Sequence, residues 1–155
     1  MGTLNRLADK LVFVDTMPFI YLIEEHPAYV ETVEAFFIGA LRDKNYRLMT
    51  SIITLAEVLV QPHRTGNDAL VAEYEGIICD SDELHVVPID RITAQKAARL
   101  RADYSLKMAD SLQLAASFVN SADYFLTNDK GIAGTGLPQI ILLDDLLNKS
   151  TAHLT

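Results

Sequence analysis

The sequence predicts an α/β fold: a three-layer sandwich with a mostly parallel central sheet of about five short strands flanked by helices. Three observations carry this. Short apolar runs alternate along the chain with longer stretches of helical periodicity. The first run, Leu11-Val-Phe-Val-Asp15, is continuously apolar and closes on a carboxylate, which suits a parallel strand covered on both faces. No repeat, low-complexity tract or linker interrupts the alternation, so 155 residues fit one domain with its core at about 11–148.

The elements follow in order. Leu11–Asp15 is the first strand, Asp15 its last residue; Thr16 can cap the next helix, with Pro18 tolerated in the first turn. Pro27 opens a further helix through Leu41. Tyr46–Ser51 reads as the second strand, and a helix from about Ile52 to Gln61 stops before Pro62. Asn67–Ile78 is helical, and His85–Val87 is a short strand ended by Pro88. Asp90 caps a helix to about Tyr104. After a turn, Ala109–Asn120 is helical, Tyr124–Thr127 a strand, Gly131–Pro138 a glycine-rich loop and Ile140–Leu143 the last strand.

Composition narrows the function classes. No apolar run approaches the roughly 20 residues of a membrane span, and Met1–Lys10 has no signal-peptide core. Cys79 is the single cysteine, which excludes an internal disulfide and a CxxC pair and suits a reducing cytoplasm. His26, His63, His85 and His153 are dispersed, a poor set for zinc. No GxGxxG or P-loop is present. The net charge of −8 argues against gripping nucleic acid by bulk attraction. It is also what a carboxylate-rich site would help to produce, since bound cations reverse the sign locally. Five of the 13 Lys and Arg residues lie between Arg91 and Lys107. That bias would suit a phosphate backbone or a solvated helix face with an Arg99–Asp103 pair.

Four acids stand out. Asp15 ends a strand where ligands gather in open α/β sheets, although a strand-end Asp also caps helices. Glu57 lies in Leu55–Val60 among apolar neighbours. A buried carboxylate there would need a cation, an Arg or the helix's single exposed stripe. Asp110 begins a helix, where Asp is an ordinary N-cap. Asp129, in Thr-Asn-Asp-Lys-Gly131, is also ordinary turn chemistry. Together the four can meet at one sheet rim, and hard oxygen donors suit Mg²⁺ or Mn²⁺.

These segments resemble the motifs of PIN-domain proteins, especially the VapC-like toxins of bacterial toxin–antitoxin pairs. Val-Phe-Val-Asp-Thr-Met-Pro-Phe-Ile-Tyr-Leu-Ile-Glu24 is similar to the family's opening and Thr-Ser-Ile-Ile-Thr-Leu-Ala-Glu-Val-Leu59 to its second acidic motif. Lys-Met-Ala-Asp-Ser-Leu-Gln-Leu-Ala-Ala116 and Phe-Leu-Thr-Asn-Asp-Lys-Gly131 resemble the third and fourth, all in the family's order. The resemblance implies metal ligands at Asp15, Glu57, Asp110 and Asp129, with Thr16 and Asn128 supporting them. It departs at Met17, where a small polar residue is common.

What the resemblance implies is an endoribonuclease using Mg²⁺ or Mn²⁺. The ions would bind the scissile phosphate and lower the pKa of a water; no histidine lies in the acidic motifs to serve as base. It also implies an inhibitory antitoxin partner and allows a homodimer. The rival from another class is a catalytically inactive PIN-like module that binds protein or RNA. A phosphotransferase of the haloacid-dehalogenase kind would want a second Asp where Met17 stands.

Overall fold

The computed structural model describes residues 3–146. Five parallel strands form one sheet in the order β3-β2-β1-β4-β5. They are β1 (Leu11–Val14), β2 (Arg47–Ser51), β3 (Leu84–Val87), β4 (Tyr124–Thr127) and β5 (Ile140–Leu142). The helices are α1 (Thr16–Ile23), α2 (Val30–Leu41), α3 (Ile52–Val58), α4 (Val60–Arg64), α5 (Asp68–Cys79), α6 (Arg91–Tyr104), α7 (Met108–Val119) and α8 (Lys130–Ala133), after a 3-10 turn at Thr3–Leu7. The expected three-layer sandwich is therefore present, with every strand pairing parallel. The last two residues of the expected core, 147 and 148, lie outside the described residues, as does His153.

Side-chain alternation in the strands builds two separate cores. Val12 and Val14 face one way and join Phe19, Val33, Phe36, Leu48 and Ile78 beneath α1, α2 and α5. Phe13 faces the other way and joins Met49, Leu100, Leu114, Phe125 and Ile132 beneath α6, α7 and α8. The register sets Phe13 beside both Met49 and Phe125, and the Phe13 and Phe125 rings stack with centroids 5.2 Å apart. Covered on both sides, β1 has no alternating polar positions, which is why it reads as a continuous apolar run.

The chain order positions the site. From β1 the chain steps outward to β2 and β3, then crosses back to place β4 on the other side of β1. The chain leaves β1 into α1 on one face of the sheet and β4 into α8 on the other, which makes the carboxyl ends of this pair the topological switch point where α/β sheets form their crevice.

Several expected boundaries move. Asp15 lies just past β1, and it rather than Thr16 caps α1. Pro27 sits in a turn where His26 Nδ1 accepts from Ala28 N at 3.1 Å, and α2 starts at Val30. The helix expected over Ile52–Gln61 breaks at Leu59, and α4 contains Pro62. Pro62 is only its third residue, where a missing N–H removes no helical bond. Asp110 is no N-cap, because α7 starts at Met108 and Lys107 holds the cap position. The expected loop over Gly131–Pro138 begins inside α8. Among the described residues no helix is long and apolar enough to cross a membrane.

Candidate metal centre

Asp15 stands at the mouth of the crevice and is 7 % exposed. Its Oδ1 accepts from Thr16 N at 2.9 Å, which caps α1, and its Oδ2 accepts from Thr127 Oγ1, the last side chain of β4, at 2.7 Å. Both strands that flank the switch point thus converge on one carboxylate. Thr127 Oγ1 in turn accepts from Asp129 N at 3.0 Å, so the loop after β4 is tied to the same group.

The other three acids come to this rim from separate elements. Glu57, on α3, is exposed, which corrects the expectation of a carboxylate buried among apolar residues. Thr54 and Val58 carry the buried face of α3, while Ile52 and Val60 are 44 % exposed; apolar neighbours in sequence do not here mean an apolar environment. Glu57 Oε1 nevertheless accepts from Thr16 Oγ1 at 2.7 Å, which ties it to the start of α1. Asp110, half-buried, lies in the first turn of α7. Asp129 caps α8, its Oδ1 accepting from Gly131 N at 2.7 Å and Ile132 N at 3.3 Å. Thr16 therefore bonds an acid directly. Asn128 instead donates to the Tyr21 hydroxyl at 3.2 Å, away from the acids, and its Oδ1 is buried without a partner.

The four acids form one electrostatic cluster. Burial raises the Asp15 carboxyl from its ordinary 3.8 to about 6, outweighing the Thr127 and Thr16 hydrogen bonds that favour the charged form; Asp110 and Glu57 add to the rise. Burial also raises Asp110, followed by the charges of Asp129 and Glu57, with Lys107 opposing. Among the described residues the salt bridges are Arg42–Asp43, Lys44–Glu83 and Arg99–Asp103, so none neutralises the cluster.

Such a donor set, all carboxylate oxygen and short of positive charge, fits a hard divalent cation by its chemistry. Its spacing is looser: among the described residues, no three His, Cys, Asp or Glu side chains are arranged so as to hold a metal ion. The rim can concentrate a cation and, through it, a phosphate.

Three polar residues of the site escaped the sequence reading. Thr127, Thr54 and Gln113 are fully buried, and Gln113 Nε2 donates to Thr54 Oγ1 at 2.7 Å. A signal existed for Gln113. Asp110, Gln113 and Ser117 are spaced three and four apart, which puts a polar stripe along one face of a helix that is otherwise core.

Comparison with known proteins agrees with this architecture. The family model described as PIN domain matches residues 12–136. No curated protein sequence matches the chain. Among solved structures, VapC20 of Mycobacterium tuberculosis, described as a sarcin-ricin loop cleaving toxin, superposes with a TM-score of 0.67 at 17% identity, covering 83% of this chain and 97% of that one. The DNA-bound VapBC of Salmonella typhimurium gives 0.64 at 18% identity, covering 86% and 96%. A toxin–antitoxin complex from Klebsiella pneumoniae gives 0.63 at 20% identity, covering 85% and 97%. At such identities the likeness establishes the fold.

Proposed function

The chain belongs to the PIN-domain family, and from that premise we propose that it is a metal-dependent endoribonuclease hydrolysing RNA phosphodiester bonds, a VapC-like toxin. The observation that carries this reading is the meeting of Asp15, Glu57, Asp110 and Asp129 in one electrostatic cluster at the β1–β4 switch point, with no salt bridge among the described residues to neutralise it. Asp15, Glu57 and Asp110 would hold the principal ion, Mg²⁺ or Mn²⁺. Asp129 would complete its shell or position a second ion or a water. When bound, such an ion supplies a Lewis acid for the scissile phosphate and acidifies a water for in-line attack.

The chain's own side chains orient this apparatus. Thr127 and the Thr16 backbone hold the two Asp15 oxygens, and the Thr16 hydroxyl holds Glu57. Lys107, exposed beside Asp110, offers a positive charge to substrate phosphate. The exposed side chains of Met17, Ile52 and Met108 stand in the first turns of α1, α3 and α7, the helices that carry Thr16, Glu57 and Asp110. An apolar fringe around an acidic site suits a small antitoxin that covers the rim, and a homodimer accords with the same family. One cytoplasmic domain spanning the chain is the simplest setting for its exposed Cys79.

The test is incubation of purified protein with mixed RNA, in Mg²⁺ or Mn²⁺ and then with chelator. Cleavage should require the ion, and Asp15→Asn should abolish it while leaving the far-UV circular dichroism spectrum intact. Undiminished cleavage by that variant would reject the assignment. The spacing of the acids favours one rival, an inactive PIN-like module. Isothermal titration separates the two, because an inactive relict should take up no Mn²⁺ at sub-millimolar concentration. For the partner, a co-encoded small protein should co-purify with the chain and suppress cleavage; failure to suppress it counts against an antitoxin.

A further inference from the structure

Beneath the acidic rim lies a buried polar layer in which the direction of each main hydrogen bond is fixed. Thr50 Oγ1 spends its one hydrogen on Val14 O at 2.8 Å. The 2.7 Å bond between the Thr50 and Thr54 hydroxyls must then be donated by Thr54. Thr54 Oγ1, its hydrogen used, accepts from Gln113 Nε2 at 2.7 Å. The same reasoning applies at Thr16, whose hydrogen goes to Glu57 Oε1. At the other end of the amide, Ser51 Oγ donates to Gln113 Oε1 and accepts from Ile53 N at 3.1 Å.

The second Nε2 hydrogen of Gln113 is left facing Thr16 Oγ1 at 3.4 Å and Asp15 Oδ1 at 3.5 Å. Each contact is long and weak alone. Their acceptors, however, are an anionic oxygen and the hydroxyl that holds a second carboxylate. Turning the amide over would point its carbonyl at the Asp15 carboxylate and leave Thr54 without its donor. Thr54, able only to accept, makes the present orientation the satisfied one, and Ser51 completes it by donating to Oε1.

We propose that Gln113, its amide set by Thr54 and held by Ser51, is the positioning residue of the acidic rim, holding Asp15 directly and Glu57 through Thr16. This rests on the nuclease reading for its consequence, though not for its geometry. Gln113 is fully buried and bonds no atom of a substrate; it acts by presenting a donor edge to groups that otherwise repel one another. Partners one layer behind a metal's ligands typically alter metal affinity or activity by about 10- to 100-fold.

The test uses the full chain carrying Gln113→Met, which keeps volume and removes the amide, alongside Ser51→Ala and the double variant. With Mn²⁺ alone as probe, Gln113→Met should bind the ion about tenfold or more weakly than the wild type. RNA cleavage should fall in kcat with KM little changed. Ser51→Ala should fall in the same direction by less, and the double variant should be no worse than Gln113→Met, since both act through one amide. A Gln113→Met protein that melts cooperatively yet binds Mn²⁺ within about threefold of wild type (under ~0.7 kcal/mol) overturns the proposal. Should the wild type itself bind no Mn²⁺, the nuclease reading fails and the geometry is judged separately, from metal-free crystal structures of both chains. Loss of the Thr16–Glu57 bond in Gln113→Met then supports positioning, and its persistence refutes it. Should Gln113→Met not fold, Ser51→Ala carries the same comparisons.

Discussion

At the scale of single residues, Asp15 shows a conflict between stability and site chemistry. Its carboxyl is raised to about 6 when folded, from 3.8, so the folded chain holds this proton more tightly than the unfolded one. Its favourable contribution is therefore complete below about pH 4 and disappears as pH rises through 6. The loss amounts to roughly 3 kcal/mol, at ~1.36 kcal/mol per pH unit. Asp15→Asn, which fixes the uncharged form, should leave the metal-free protein more stable than wild type at pH 7, with the gap closing towards pH 4.5. Urea midpoints across that range measure it, and a gap that does not change with pH contradicts the burial argument. The acids themselves stood out in the sequence, Asp15 at a strand end, Glu57 within an apolar helix, Asp110 near a helix start and Asp129 in a turn after a strand. Thr127 did not, because what matters about it is contact with Asp15, 112 residues away, and Gln113 showed only as part of a polar helix stripe, which does not say that it faces Asp15, 98 residues away.

At the scale of elements, α8 shows how one side chain can serve both structure and site. Four residues with Gly131 among them and Gly134 beside them make a poor helix by propensity, which is why Gly131–Ala133 reads as loop. What forms it is Asp129, whose Oδ1 accepts from two backbone N–H groups. Asparagine preserves that cap and removes the charge; alanine removes both. Asp129→Asn should therefore melt within about 0.5 kcal/mol of wild type, while Asp129→Ala loses about 1 kcal/mol. If the charge serves the rim as well, the two variants should weaken Mn²⁺ binding alike, and equal binding by wild type and Asp129→Asn would leave Asp129 a cap alone. The strands were the most legible elements, their ends found to within a residue, because apolar runs stop where the chain leaves the sheet. The break between α3 and α4 was hidden, since Leu59 interrupts neither apolar periodicity nor helix propensity, and Pro62 drew the boundary towards itself.

At the scale of the whole molecule, a chain of net charge −8 carries mutually repelling carboxylates at the β1–β4 switch point, with no salt bridge to them among the described residues. Monovalent salt screens such repulsion over about 8 Å at physiological ionic strength, but it does not penetrate to Asp15, which is 7 % exposed. A divalent ion held at the rim would relieve the repulsion directly and, binding only the folded chain, would stabilise it by mass action. At about a hundred times its dissociation constant the gain is ~2.7 kcal/mol, which for a chain of this size raises Tm by roughly 5–10 °C. Mn²⁺ should produce that rise at pH 7.5, and NaCl of equal ionic strength should not. The rise should shrink at pH 5, where protons compete for Asp15, and vanish in Asp15→Asn. Equal shifts from Mn²⁺ and NaCl, or a full Mn²⁺ shift in the variant, would mean that the cation acts on the surface as a whole and that the four acids share no ion.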